Sequence, residues 1–211
     1  ALALKNATLN VSGITTTDAQ TYTGLLSLQK SLTSLNGSSL SFDSIAGNHH
    51  DLTLTGPTTL GAGASSTITA INNLLINSAA IFNLSTLSTD GNQDYLGAAN
   101  IIANLTMNGS SIQFDSSITG SNSNLTINPS QTLTLGSTGL ESLSGIHNLT
   151  VNGNSDINMA SLTSSGTQTI NGLMNLLSDT SINASTINQN GSITGNSHNL
   201  SITGLTNLGS N

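Results

Sequence analysis

The chain has 211 residues and a formal net charge of −7, with two Lys, nine Asp or Glu, no Cys and no Trp. So few cations exclude nucleic-acid binding by phosphate neutralisation and attachment to membranes through a basic patch. No apolar run approaches the roughly 20 residues of a membrane span, and without Cys there is neither a disulfide nor a thiolate metal site.

Asn (28), Ser (34) and Thr (30) make up 44% of the chain. The composition is not that of a disordered segment, because Leu and Ile alternate regularly with these small polar residues. The alternation is organised into a recurring six-residue word: Asn or Asp, Leu, Thr, an apolar residue, Asn or Thr, then Gly. In chain order, a weak copy begins at Thr8 and another at Ser31. A clear one runs from Asp51 to Gly56 and a variant from Asn73 to Ser78. Three strong copies follow, at Asn104–Gly109, Asn124–Pro129 and Asn148–Gly153. A weak copy begins at Asn175, and the last runs from Asn199 to Gly204.

Period two over so short a run predicts half-buried strands, and the Gly, Asn and Ser between the words predict turns. Strands of this length bury little alone, so stacking is required. The expected fold is all-β: a single right-handed parallel β-helix, or β-solenoid, over residues 1–211, with about nine coils of about 24 residues. The series Gly24, Gly97, Gly172 adds a superrepeat of 73–75 residues. Read as three coils, the superrepeat places Asp43 and Asp115 on one face, about 14 Å apart along the axis.

The outward positions of the words form the candidate ligand-facing surface. They are Asp51, Thr53 and Thr55; Asn104, Thr106 and Asn108; Asn124, Thr126 and Asn128; Asn148, Thr150 and Asn152; and Asn199, Ser201 and Thr203. Stacked, these would be flat ranks of uncharged donors and acceptors, suited to contact with glycan hydroxyls, to ordering water, or to keeping the rod soluble and in register. No catalytic residues, metal ligands or cofactor are expected. A polysaccharide lyase needs cations to offset its substrate's carboxylate, and a glycoside hydrolase needs two carboxylates about 5–10 Å apart. Neither requirement is met in the sequence. His49-His50-Asp51 is read as a turn rather than a metal site, since neighbours on a strand face opposite ways.

The segments Ala19–Gly24 (Ala-Gln-Thr-Tyr-Thr-Gly) and Gly47–Gly56 (Gly-Asn-His-His-Asp-Leu-Thr-Leu-Thr-Gly) resemble the repeat region of large bacterial exoproteins of the filamentous haemagglutinin type. The resemblance extends over nearly the whole chain. It implies a β-helix exported by two-partner secretion, through an outer-membrane partner, to the cell surface or medium. It also implies adhesion to a host glycan or surface protein. The chain is then expected to be an interior piece of a longer adhesin. A carbohydrate-active β-helix enzyme, the stalk of a toxin-delivery exoprotein and an ice-binding solenoid stand as alternatives.

Overall fold

The computed structural model describes residues 1–30 and 33–209. All its regular structure is β: 24 strands joined by parallel pairings into one continuous sheet. The chain winds as a three-sided solenoid. In the first turn the sides are Leu2–Lys5, Thr8–Leu9 and Gly13–Thr15. In the second, Gln20–Leu28 bends through the first two faces and Thr33–Asn36 forms the third. Each strand pairs with the one a turn later, as in Leu4↔Tyr22 on the first face and Ile14↔Leu35 on the third. At about 4.8 Å per turn the first and last turns lie roughly 48 Å apart.

Alternation decides which side chains enter the rod. On the first face Tyr22, Phe42, Leu60, Phe82 and Ile101 stack one above another. On the second, Leu87, Met107, Ile127, Val151 and Ile170 do so. The third column includes Leu54, Ile76, Tyr95, Phe114, Leu135 and Ile157. All three columns are buried. The few aromatics are spent entirely on this interior. Tyr22 stacks on Phe42 with ring centroids 5.0 Å apart, and Tyr95 stacks on Phe114 at 4.7 Å. Burial of such apolar columns is the main stabilising term for strands this short.

The expected nine coils of 24 residues are corrected to eleven turns of about 20 residues, counted from the strand at Leu2 to that at Leu200. The reason is that the six-residue word marks a strand, not a turn. The copy at Asp51 lies on the third face, those at Asn104, Asn124 and Asn148 on the second, and that at Asn199 on the first. The weak copy beginning at Ser31 starts outside the described residues. The superrepeat is likewise three and two-thirds turns, not three. Gln20 lies on the first face, Gln93 on the third and Gln168 on the second. Repeat-equivalent residues therefore rotate around the axis instead of stacking. Asp43, which follows Phe42 on the first face, and Asp115, which follows Phe114 on the third, belong to different corners.

Buried glutamines secure these corners. Gln20 Nε2 donates to the Asn36 carbonyl at 2.6 Å and to the Ile14 carbonyl at 3.2 Å, while its Oε1 accepts the Tyr22 hydroxyl at 2.7 Å. Gln93 repeats the pattern, donating to the Asn108 carbonyl at 2.7 Å and accepting the Tyr95 hydroxyl at 2.8 Å. Gln168 bonds the carbonyls of Leu162 and Asn183, but Ile170 stands where the tyrosine would be, and Gln168 Oε1 is buried without a partner. Carbonyls left over where the chain leaves one face for the next are thus satisfied from inside.

At the corner after the second face, several coils approach too closely for a side chain. A Cβ on Gly172 would lie 2.3 Å from the Gly153 carbonyl oxygen, and one on Gly191 would lie 2.1 Å from that of Gly172. Glycine at these two positions is therefore required by close coil-to-coil approach, whereas Pro129 fills the same corner one turn after Gly109. The longest inter-turn connection, residues 136–141, is held by Glu141, whose carboxylate accepts the Thr138 hydroxyl at 2.7 Å and the Thr138 and Leu140 amides at 3.2 Å. Partial desolvation, which alone would raise its pKa, is outweighed by hydrogen bonds from the Thr138 side chain and nearby amides, and the carboxyl falls to about 2.

Candidate functional site

Five consecutive turns present the same surface on the second face. Asn104, Thr106 and Asn108 lie above Asn124, Thr126 and Asn128, which lie above Asn148, Thr150 and Asn152. Thr167, Thr169 and Asn171 follow, then Thr186, Asn188 and Asn190. All fifteen positions are Thr or Asn, and none is buried. Their neighbours within each strand, such as Leu105 and Met107 or Leu125 and Ile127, point into the core, which fixes the outward direction of the rest.

The three ranks of this array differ in how their polar groups are spent. Along one edge the asparagine amides form a ladder. Asn128 Nδ2 donates to Asn108 Oδ1 at 2.8 Å, Asn152 to Asn128 at 2.6 Å, Asn171 to Asn152 at 2.6 Å, and Asn190 to Asn171 at 2.7 Å. Asn108 ends the ladder on the Ser88 hydroxyl at 2.9 Å. Along the other edge, Asn104 Oδ1 accepts the Asn124 amide N–H at 2.8 Å, and Asn148 Nδ2 donates to Asn124 Oδ1 at 2.9 Å. The Thr167 N–H then donates to Asn148 Oδ1 at 2.7 Å.

Between the edges runs the threonine rank Thr86, Thr106, Thr126, Thr150 and Thr169, in unbroken register. The hydroxyls of Thr106, Thr126 and Thr150 take no protein partner among the described residues. The asparagines therefore lock the surface, and the threonines present it.

Nine of the fifteen sequence-derived candidates come together here. The other six lie elsewhere. Asp51, Thr53 and Thr55 are on the third face, where Asp51 Oδ1 accepts Asn72 Nδ2 at 2.7 Å and the Asn73 amide at 3.0 Å. Asn199, Ser201 and Thr203 are on the first, where Asn199 donates through its backbone and its side chain to Asp179. Those hydrogen bonds, backbone first, hold the Asp179 carboxyl below the usual carboxylate range. Asp51 and Asn199 thus act as coil-to-coil fasteners at their own corners. Thr167, Thr169, Asn171, Thr186, Asn188 and Asn190 were not recognised in the sequence. Their strands carry Gln168 and Gln189 at inward positions, where the word has a leucine or isoleucine.

Away from this face, His49 Nδ1 lies 2.5 Å from Asp90 Oδ2 in an exposed pair, and the backbone at Asn48 and His49 is left-handed. Asp94 is raised by burial and then by the charge of Asp115, which itself accepts Gln113 Nε2 at 2.6 Å. No group of three or more His, Asp or Glu residues suited to a metal ion occurs among the described residues. No protein-family model, curated protein or solved structure matches the chain.

Proposed function

We propose that the chain is a non-catalytic segment of a secreted bacterial surface adhesin, a rigid β-helical rod that attaches the cell to host or other surfaces. The observation that carries this reading is the fifteen-position neutral array along the rod, its edge amides locked and the hydroxyls of Thr106, Thr126 and Thr150 free. Such a surface binds by many weak, geometrically fixed hydrogen bonds and has no group arranged to move protons or electrons. The filamentous haemagglutinin-like words in the sequence supply the cellular setting: export through an outer-membrane partner and display at the surface.

The test is a screen of the purified chain against glycans and host-matrix proteins, beside a variant carrying Thr106→Val, Thr126→Val and Thr150→Val. Valine keeps the branched shape and strand preference while removing the hydroxyl. Specific binding by the parent chain, lost in the folded variant, supports an adhesive face. No binding by either protein, with cooperative melts for both, replaces this reading with that of a spacer.

A further inference from the structure

We propose that the threonine–asparagine face is a homotypic docking surface. Two copies of this chain, displayed on opposing particles or cells, meet through the same face about a two-fold axis passing near Thr150. This inference does not depend on the existence of a host ligand.

The first argument is self-complementarity. A threonine hydroxyl and an asparagine amide each carry both a donor and an acceptor. A face made only of these two residues can therefore hydrogen-bond to a copy of itself, which is what an isologous interface requires. A charged rank could not do so. The second argument is charge. The chain carries −7, yet none of its nine acidic residues occupies any of the fifteen positions. The third face, by contrast, has Asp94 and Asp156 at outward strand positions. Like-charge repulsion between two copies is therefore smaller across the second face than across the third.

The third argument is preorganisation. The Asn108–Asn190 ladder already fixes the amides, so little side-chain freedom remains to be lost on contact.

Size sets the strength. Five turns at about 4.8 Å and five residues across at about 3.4 Å give roughly 400 Å² per copy. That is half the roughly 800 Å² per partner of a stable complex. A single pair of rods is then weakly bound, and the contact becomes effective where many copies are displayed together. Thr150 occupies the centre of the array, third of five turns and middle of three ranks. On an axis there, residue 150 of one copy faces residue 150 of the other.

The experiment follows from that geometry. Microspheres are coated with the chain tethered by its carboxyl end, and clustering is followed by light scattering. Parent beads are expected to cluster. Beads carrying only Thr150→Lys, or only Thr150→Glu, should lose clustering by about tenfold or more, because like charges meet at the axis. Mixing the two populations should restore it. Ser41→Lys, at an outward position on the first face, is the control and should leave clustering intact. Thermal melts establish that each variant is folded.

Parent beads that fail to cluster overturn the proposal, as do lysine-only beads that cluster as well as the parent. Failure to cluster together with a depressed freezing point that Thr150→Lys abolishes overturns it in favour of a water-ordering face.

Discussion

Tyr95 gives its hydroxyl proton to Gln93 Oε1 at 2.8 Å, two residues back on the same short strand. The pair is wholly buried, and Gln93 carries the connection onward to the Asn108 carbonyl one turn along. Removing the hydroxyl with Tyr95→Phe keeps the ring stack on Phe114 and strands the glutamine oxygen. The expected loss is about 1–3 kcal/mol, the cost of leaving one buried acceptor unsatisfied. Chemical denaturation of the two proteins measures it, and an unchanged midpoint would show that the hydroxyl is dispensable.

The same burial makes alkaline pH a structural probe. Tyr22 is pushed up to about 12 by desolvation, and Tyr95 is driven well above its ordinary value by burial and then by the charge of Asp94. A folded-state pKa above the unfolded value of about 10 gives stability that is complete below pH 10 and is lost as pH rises through the folded value. These are the only two tyrosines in the chain. At pH 11 the folded chain should show little tyrosinate absorbance at 295 nm, and the denatured chain should show most of it. Matching titrations in the two states would contradict the buried network.

The fold class was legible because a strand's signature is local. Leu125 and Ile127 alternating with Asn124, Thr126 and Asn128 specify an inward and an outward side without reference to any other segment. The number of turns was not legible, because the same word serves all three faces and nothing local says which one a copy occupies. The candidate surface was found where its inward residues are aliphatic and missed where they are Gln168 and Gln189. Polarity hid their inward direction, since part of what satisfies them lies on other turns, the Asn183 carbonyl for Gln168 and the Gly172 carbonyl for Gln189.

The corrected register is open to a direct test. The chain has no cysteine, so labels can be placed freely. Thr106 and Thr126 are cross-strand neighbours on the second face, while Leu75 lies at an outward position on the third. Pyrene attached to Thr106→Cys/Thr126→Cys should give strong excimer emission, as expected for neighbours about 4.8 Å apart. Leu75→Cys/Thr106→Cys, adjacent coils in the single-rank arrangement expected from the sequence, should give monomer emission alone. Excimer from the second pair would restore that arrangement.

Two glycines separate close approach from chain flexibility. Gly172→Ala drives a methyl into the Gly153 carbonyl, with 2.3 Å to the oxygen and 2.4 Å to the carbon. Backbone on both sides cannot yield cheaply, and a loss of about 1–3 kcal/mol or more is expected. At Gly195 the nearest atom to an added Cβ is the His198 oxygen at 3.6 Å, an ordinary contact. Gly195→Ala should then be neutral, or stabilising by up to about 1 kcal/mol through the unfolded state. Equal melting temperatures for the two variants would remove the steric explanation for the glycine corner.

The asparagine ladder and the threonine rank can be separated at adjacent positions. Asn128 both donates to Asn108 and accepts from Asn152, so Asn128→Ala removes two coil-to-coil hydrogen bonds. At about 0.5–1.5 kcal/mol each, the loss should be about 1–3 kcal/mol. Asn128→Asp should cost more near neutral pH, because a carboxylate cannot donate to Asn108 Oδ1 and sets acceptor against acceptor. Part of that cost should return in acid, where the carboxyl regains a proton to donate. Thr126→Val, two residues away and without a protein partner to lose, should stay within about 0.5 kcal/mol of the parent. Denaturation midpoints at neutral and acidic pH decide the matter. If Asn128→Ala proves as mild as Thr126→Val, the ladder contributes no register energy, and the asparagines serve only to keep the face wet.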